Sequence, residues 1–268
     1  MSVVLNGYSG ATRVFYIAGD PIDQVKSPAG VTAGLQERGV DAICVPAHVK
    51  PADLAEFLSL MWRMPNVSGV LITVPHKFSA LAASASATPR ARSIGAANVL
   101  RRAAQGWHAD MCDGEAFVAA MRAGGAQLGG ARALLVGAGG AGSAIAHALV
   151  DAGVAELALH DADKPRRHAL MARLRKYGSV PITAGSANPA GFGLVCNATP
   201  MGMRAEDPLP VQVDHLDAQA FVADVVTVPA MPPLIAAARA RGLHTSTGND
   251  MFAQVRALLL DFLLEQRS

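Results

Sequence analysis

Lys77 and Asp113 are side chains of the types that move a proton to and from a hydroxyl. A lysine ammonium beside a carboxylate can hold the oxygen and pass its proton as hydride leaves the carbon. Lys77 lies two residues past Pro75, which stops the apolar run Val70-Leu71-Ile72-Thr73-Val74, and Asp113 stands at the start of a helical stretch. On position alone, a surface lysine near a helix start and a helix N-cap aspartate are the better account of these two residues. A hydride needs a carrier, and Gly137-Ala138-Gly139-Gly140-Ala141-Gly142 offers a place for one. This run follows Ala133-Leu134-Leu135-Val136 and opens the apolar stretch from Ala144 to Val150, which makes strand, glycine turn, helix. In such a unit Gly137 permits the tight turn, Gly139 lets the backbone approach a pyrophosphate, and Gly142 lets the helix sit close on the strand. Helix amides and the positive end of the dipole then face the phosphates. A second strand, Glu156-Leu157-Ala158-Leu159-His160, ends on Asp161, about where a ribose-binding acid is expected.

The elements that must carry these residues alternate along the chain. Val14 to Ala18 reads as a buried strand ended by Gly19-Asp20-Pro21, and Ser27-Pro28 as a helix start with an N-cap serine. Ile43 to Pro46 is the next strand, Pro51 to Met61 an amphipathic helix, and Val70 to Val74 a third strand, which together specify a parallel, two-sided sheet. Asn98 to Leu100 and Gly106 to Ala109 form a hairpin. Phe117 to Met121 lies in a helix that bridges into a second domain with strands near Ala133, Leu157, Val180, Leu194 and Val222. The expected fold is α/β: an N-terminal open α/β substrate domain (1–113) plus a Rossmann-type doubly wound dinucleotide-binding domain (114–244). The apolar C-terminal helix (245–268) packs back on the first.

Composition narrows the class. The chain has 268 residues, 51% hydrophobic and 16% charged, with a formal charge of +2. That describes an enzyme-like protein with a large core, with no nucleic-acid partner implied. The clusters Arg90-Ala91-Arg92, Arg101-Arg102 and Lys164 to Arg167 read as solvated faces. Cys44, Cys112 and Cys196 are too few and too far apart for a metal pattern or a disulfide framework, which fits reduced thiols. No apolar run suggests a membrane span and Met1 to Gly10 is not a signal peptide, so a cytoplasmic location is expected. His76, beside Lys77, is expected on a pocket wall or the surface, and the histidines show no metal-ligand spacing, so no metal is expected.

Several blocks together resemble the shikimate/quinate dehydrogenase family. They are Gly19-Asp20-Pro21-Ile22 with Lys26-Ser27-Pro28, Thr73-Val74-Pro75-His76-Lys77, Gly95-Ala96-Ala97-Asn98-Val99, Asp110-Met111-Cys112-Asp113-Gly114, Gly137 to Ala141, and Asn197-Ala198-Thr199-Pro200-Met201-Gly202-Met203. The resemblance implies that Lys77 and Asp113 are the catalytic pair of a dehydrogenase acting on shikimate or a close relative. It further implies that Ser27, Thr73, Asn98, Thr227 and Gln254 contact the substrate, a hydroxylated ring carboxylate. For the cofactor it implies Gly137, Ala138, Gly139, Gly140, Ala141, His160 and Asp161, with Asn197, Thr199, Pro200, Met201 and Val225 bordering the nicotinamide.

The chain also departs from the family's pattern. His-Ser-x-Ser-Pro appears as Gln24-Val25-Lys26-Ser27-Pro28, the asparagine expected before Thr73 is Leu71, and the tyrosine of Asp-x-x-Tyr is Thr227. Each lost polar partner costs about 1–3 kcal/mol in a site built for it. Quinate or another cyclic polyol acid is therefore an alternative substrate, and a non-catalytic dinucleotide-binding regulator an alternative of another class. Where NADP-using members have Asn-Arg-Thr, this chain has His160-Asp161-Ala162. A carboxylate there accepts ribose hydroxyls and repels a 2′-phosphate, so NAD is the expected cofactor, although Lys164, Arg166 and Arg167 lie close by. A homodimer stays open.

Overall fold

The apolar run stopped at Gly19 forms a strand in the computed structural model, which describes residues 7–265. β1 (Arg13–Gly19) leads to α1 (Ser27–Glu37), β2 (Ala42–His48), α2 (Leu54–Arg63), β3 (Val67–Ile72) and α3 (Lys77–Ala82). Then come β4 (Ser86–Ala87), α4 (Pro89–Ile94), β5 (Val99–Ala103) and β6 (Gly106–Asp110). The strands lie in the order β2-β1-β3-β5-β6-β4. β1 is parallel to β2 and β3, whereas β5 is antiparallel to both β3 and β6. The three strands expected to be parallel are so, and the expected hairpin, β5 with β6, makes the sheet as a whole a mixed one. Only Ala104 and Gln105 separate β5 from β6, and so short a link can only return the chain antiparallel.

Two local expectations are corrected. Lys26 occupies the N-cap position of α1, with no side-chain cap, so Ser27 is the first helical residue and not the cap. Pro28 starts this helix with its preset φ and its missing N–H. Arg102 does not belong to a solvated face. Its guanidinium donates to the carbonyls of Met61, Trp62, Met64 and Val67, so it caps the C-terminal end of α2, where carbonyl oxygens lack helical partners.

The second half contains α5 (Asp113–Ala123), β7 (Arg132–Val136), α6 (Gly140–Asp151), β8 (Glu156–His160), α7 (Lys164–Tyr177) and β9 (Ile182–Ala184). It continues with β10 (Leu194–Asn197), β11 (Phe221–Asp224), α8 (Pro233–Ala240), β12 (Thr245–Ser246) and α9 (Gly248–Leu264). The strand expected near Val180 starts at Ile182. The order β12-β11-β10-β7-β8-β9, with every pairing parallel, is the doubly wound Rossmann arrangement. β10 and β11 are buried at every position, as strands covered on both faces must be. The chain reverses direction across the sheet between β7 and β10, and the crevice at such a switch point is where ligands bind.

The chain divides into two compact units, one running to Cys112 and taking up the chain again from Arg256, the other spanning Asp113–Val255. Thr245–Ser246, expected within the C-terminal helical stretch, instead pair with β11 as an edge strand. The last turns of α9 belong to the first unit, where Leu260 packs over Gly34 and Leu263 over Gly69. Among the described residues, no helix is long and apolar enough to cross a membrane.

Candidate active site

In the first unit the sheet brings Thr73, Lys77 and Asn98 to the end of β3. Thr73 continues β3 by donating its N–H to Ala18, and its carbonyl accepts from the His76 N–H, which turns the chain into α3. Lys77 is the first residue of α3, half-buried, and its carbonyl accepts the Ala97 N–H at 2.9 Å. His76 is 1% exposed and its Nε2–H donates to the Val49 carbonyl at 2.7 Å. The surface or pocket-wall placement is corrected: His76 is a core tie.

Asn98 is buried and its amide is used structurally: Oδ1 accepts the Cys112 N–H at 3.0 Å, while its own N–H donates to the Asp110 carbonyl. Ser27 is buried at the start of α1. Asp110, at the end of β6, was given no role by sequence reasoning, and Arg90 was assigned to a solvated face. They form an ion pair, and Asp110 Oδ1 also accepts Thr88 Oγ1–H at 2.6 Å and the Met111 N–H at 2.7 Å. Burial by itself raises the Asp110 pKa. The hydrogen bonds from Arg90 and Thr88, the Arg90 charge and the Met111 N–H outweigh it and hold the carboxyl below its ordinary value. No local pattern reveals a partner twenty residues away, which is why the pair escaped the sequence.

Asp113 opens α5 in the second unit and is 6% exposed. The following Gly114 lies against α6 so closely that a Cβ there would stand 2.1 Å from the Ala144 carbonyl oxygen. That approach seats the start of α5 on the helix that leaves the glycine turn.

The glycine turn and the strand ends beside it form one constellation at the switch point. The Gly137 N–H donates to the His160 carbonyl, the Ala198 N–H to Val136 and the Val225 N–H to Asn197. Gly139 takes the N-cap position of α6 with no side-chain cap, and a Cβ on it would meet nothing within 4 Å. The chain at the start of α6 thus has open space beside Gly139 through which a group can come close to the backbone, which fits a pyrophosphate. Gly142 has the opposite constraint, since a Cβ would lie 2.0 Å from the Gly137 carbonyl oxygen. Gly142→Ala is expected to destabilise the protein by about 1–3 kcal/mol or more through overpacking and to weaken nucleotide binding. Urea unfolding and a fluorescence titration with a reduced nicotinamide dinucleotide measure both, and unchanged values would sink the close-packing account.

Asn197 organises the loop beyond β10. Its Oδ1 accepts the Thr199 N–H and Oγ1–H, and its Nδ2–H2 donates to the Met201 carbonyl and to Asp224 Oδ1. Asp224, another buried group to which the sequence assigned no role, also accepts the Val226 N–H, and its Oδ2 has no partner among the described residues. Burial pushes its pKa up to about 7, against the opposing hydrogen bonds from Val226, Asn197 and Val225. An aspartate ending an apolar strand was the available signal. Met201 and Thr199 are half-buried and Pro200 exposed, while Thr227 and Gln254 are half-buried in the loop after β11 and in α9.

Asp161 is 8% exposed and fully engaged. Oδ2 accepts the Ala138 N–H at 2.7 Å, while Oδ1 accepts the Asp163 N–H at 2.8 Å and the Arg166 guanidinium at 3.0 Å. Burial raises its pKa, but the Arg166 hydrogen bond, the two backbone N–H groups and the Arg166 charge hold it below the usual carboxylate value. His160 is half-buried, and its Nδ1 has no partner among the described residues. Among the described residues no group of three or more His, Cys, Asp or Glu side chains is placed to hold a metal.

Comparison with known proteins decides the family. Residues 17–100 match the model of the shikimate dehydrogenase substrate binding domain. A shikimate dehydrogenase (NADP(+)) of Acidiphilium cryptum is 35% identical over 243 residues, which cover 91% of this chain and 87% of that protein. The chain belongs to the shikimate dehydrogenase family. A second member, the shikimate dehydrogenase (NADP(+)) of Rhodospirillum rubrum, is 35% identical over 251 residues, 91% of this chain and 88% of its own. Among solved structures, shikimate 5-dehydrogenase of Thermus thermophilus, crystallised with NADP(H) and shikimate, superposes with a TM-score of 0.84 at 29% identity, covering 95% of this chain and 94% of that one.

These members of the shikimate dehydrogenase family overturn the expectation of NAD, since both relatives are named for NADP(+). The inference failed at Asp161. A carboxylate that holds the Ala138 and Asp163 amides is not open to ribose hydroxyls, and Arg166 offsets the charge that was to repel a 2′-phosphate.

Proposed function

We propose that this chain interconverts shikimate and its 3-dehydro ketone by hydride transfer with NADP, using Lys77 and Asp113 as the proton-transfer pair. The observation that carries this reading is the way both neighbours of Asp113 are anchored. Cys112 is held by Asn98, next to the Ala97 that bonds the Lys77 carbonyl, and Gly114 is pressed onto α6, the helix of the glycine turn. The names of the relatives support the substrate and the cofactor.

When bound, the nicotinamide cofactor accepts hydride from the alcohol carbon or returns it to the ketone. The chain supplies the rest. Lys77 Nζ and the Asp113 carboxylate hold the substrate oxygen and take its proton in the oxidative direction, returning it in reduction. Ser27, Thr73, Asn98, Thr227 and Gln254 are assigned to the ring carboxylate and hydroxyls. The amides of the glycine turn are assigned to the pyrophosphate, and Arg166 with Arg167 and Lys164 to the 2′-phosphate, as charge-assisted partners. Steady-state kinetics with shikimate and either nucleotide test this: a higher kcat/KM with NADP+ supports it, and no turnover of shikimate removes it.

Val25 favours a second reading, in which a relative of shikimate is the better substrate. Its half-buried apolar side chain stands where the resemblance places a carboxylate-binding hydroxyl. The Michaelis constant for shikimate is expected to be high and to fall in Val25→Ser. A constant already in the low micromolar range, or one unmoved by the substitution, leaves shikimate itself as the substrate.

A further inference from the structure

We propose that Arg90 and Asp110 are positioning residues for the carboxylate of Asp113, acting through the short segment that presents it. The inference rests on the reading of Lys77 and Asp113 as the proton-transfer pair. Between the last residue of β6 and the first of α5 stand only Met111 and Cys112. Neither β6 nor α5 holds their amides. The Met111 N–H is held by Asp110 Oδ1 at 2.7 Å and the Cys112 N–H by Asn98 Oδ1 at 3.0 Å, so both peptide groups preceding Asp113 hang on side-chain oxygens.

Asn98 is fixed by its place in the sheet, with its N–H on Asp110 and its carbonyl accepting from Ile72. Asp110 is fixed by its side chain. Arg90 grips it with two nitrogens, Nε at 3.2 Å from Oδ1 and Nη2 on Oδ2, and Thr88 Oγ1–H donates to Oδ1 at 2.6 Å. Thr88 is itself held, because its Oγ1 accepts the Ala91 N–H as the N-cap of α4, the helix that carries Arg90. The two-pronged pairing sets the plane of the carboxylate as well as its position. That plane decides where Oδ1 meets the Met111 amide. Without Arg90 the carboxylate can rotate about its side-chain torsions, the Met111 amide loses its fixed acceptor, and the segment leading to Asp113 loosens. A reacting group displaced by about 1 Å costs up to about 10²-fold in rate.

The test compares Arg90→Met, Arg90→Lys, Asp110→Asn and Lys77→Ala in the full chain, turning over shikimate with NADP+. Arg90→Met and Asp110→Asn are expected to lower kcat about 10- to 100-fold with the KM for NADP+ unchanged. The pH limb of kcat governed by the proton-transfer pair is expected to move with them. Arg90→Lys keeps one charged hydrogen bond and should recover part of the loss, and it carries the test if Asp110→Asn does not fold. A lowered Tm with kcat and its pH profile unchanged in Arg90→Met would overturn the proposal, leaving the ion pair a role in folding alone. If Lys77→Ala also keeps its turnover, it is the reading of the proton-transfer pair that has failed; loss in Lys77→Ala with none in Arg90→Met isolates the failure to Arg90 and Asp110.

Discussion

Lys77→Ala is expected to reduce turnover of shikimate by about 10²-fold or more, the usual loss for a positioned proton-transfer group. The substitution should leave the fold intact. The bond that ties this residue to Ala97 uses the Lys77 carbonyl, which alanine retains, and alanine is a strong helix former at the first position of α3. NADPH affinity should change little, because the glycine turn and the strand ends assigned to the nucleotide lie in the second unit. Stopped-flow single turnover separates chemistry from release, and a fluorescence titration gives the affinity. Near-normal turnover would remove Lys77 from the mechanism.

Asp224→Asn should make stability respond differently to pH. The carboxyl is 1% exposed, and burial raises its pKa to about 7 from an ordinary 3.8. The folded state therefore holds this proton more tightly than the unfolded chain does. The resulting stabilisation is complete below the unfolded value and is lost as pH rises through the folded value. A gap of this size corresponds to about 4 kcal/mol between pH 4 and pH 8. Asparagine offers the same oxygen to Asn197 and Val226 but never ionises. Its stability relative to the parent should therefore rise between pH 4.5 and pH 8.5 by a few kcal/mol. Urea unfolding at both values measures the difference of differences, and equal values would show that the carboxyl does not titrate in this range. His244 and Arg239 are exposed, whereas α8 turns the apolar Leu234, Ile235 and Ala238 toward the core. No charged side chain is among the causes of the shift, and so the parent's response should hardly depend on salt.

The doubly wound half was legible because its signals are local. Glycine spacing after an apolar run needs no knowledge of what lies across the sheet, and the buried strands read as uninterrupted apolar stretches. The first sheet was harder. Ser86-Ala87 is too short to show any periodicity and becomes a strand only because β6 offers an open edge; in the second sheet Thr245-Ser246 at the edge of β11 escaped for the same reason. Side-chain roles were the least legible. Arg90, Arg102 and Arg166 look alike in the sequence, as basic residues in small clusters. In the structure one grips a carboxylate, one caps a helix and one neutralises the acid on which the NAD expectation rested. Charge type is written in the residue, while the partner that decides its effect is chosen by the tertiary fold. For Lys77, Asp113 and the substrate positions, family resemblance supplied roles that spacing left open.

The return of α9 to the first unit has a consequence for how the protein is made. Synthesis proceeds from the N-terminus, and domains generally fold as units while the chain emerges. Here the N-terminal unit lacks Leu260 over Gly34 and Leu263 over Gly69 until the whole of the second unit has been translated. The unit written second is complete in sequence by Val255, before either of those two leucines is added. A nascent chain halted just after Val255 would hold every strand of the second sheet, while the apolar cover that Leu260 and Leu263 give the first would still be missing.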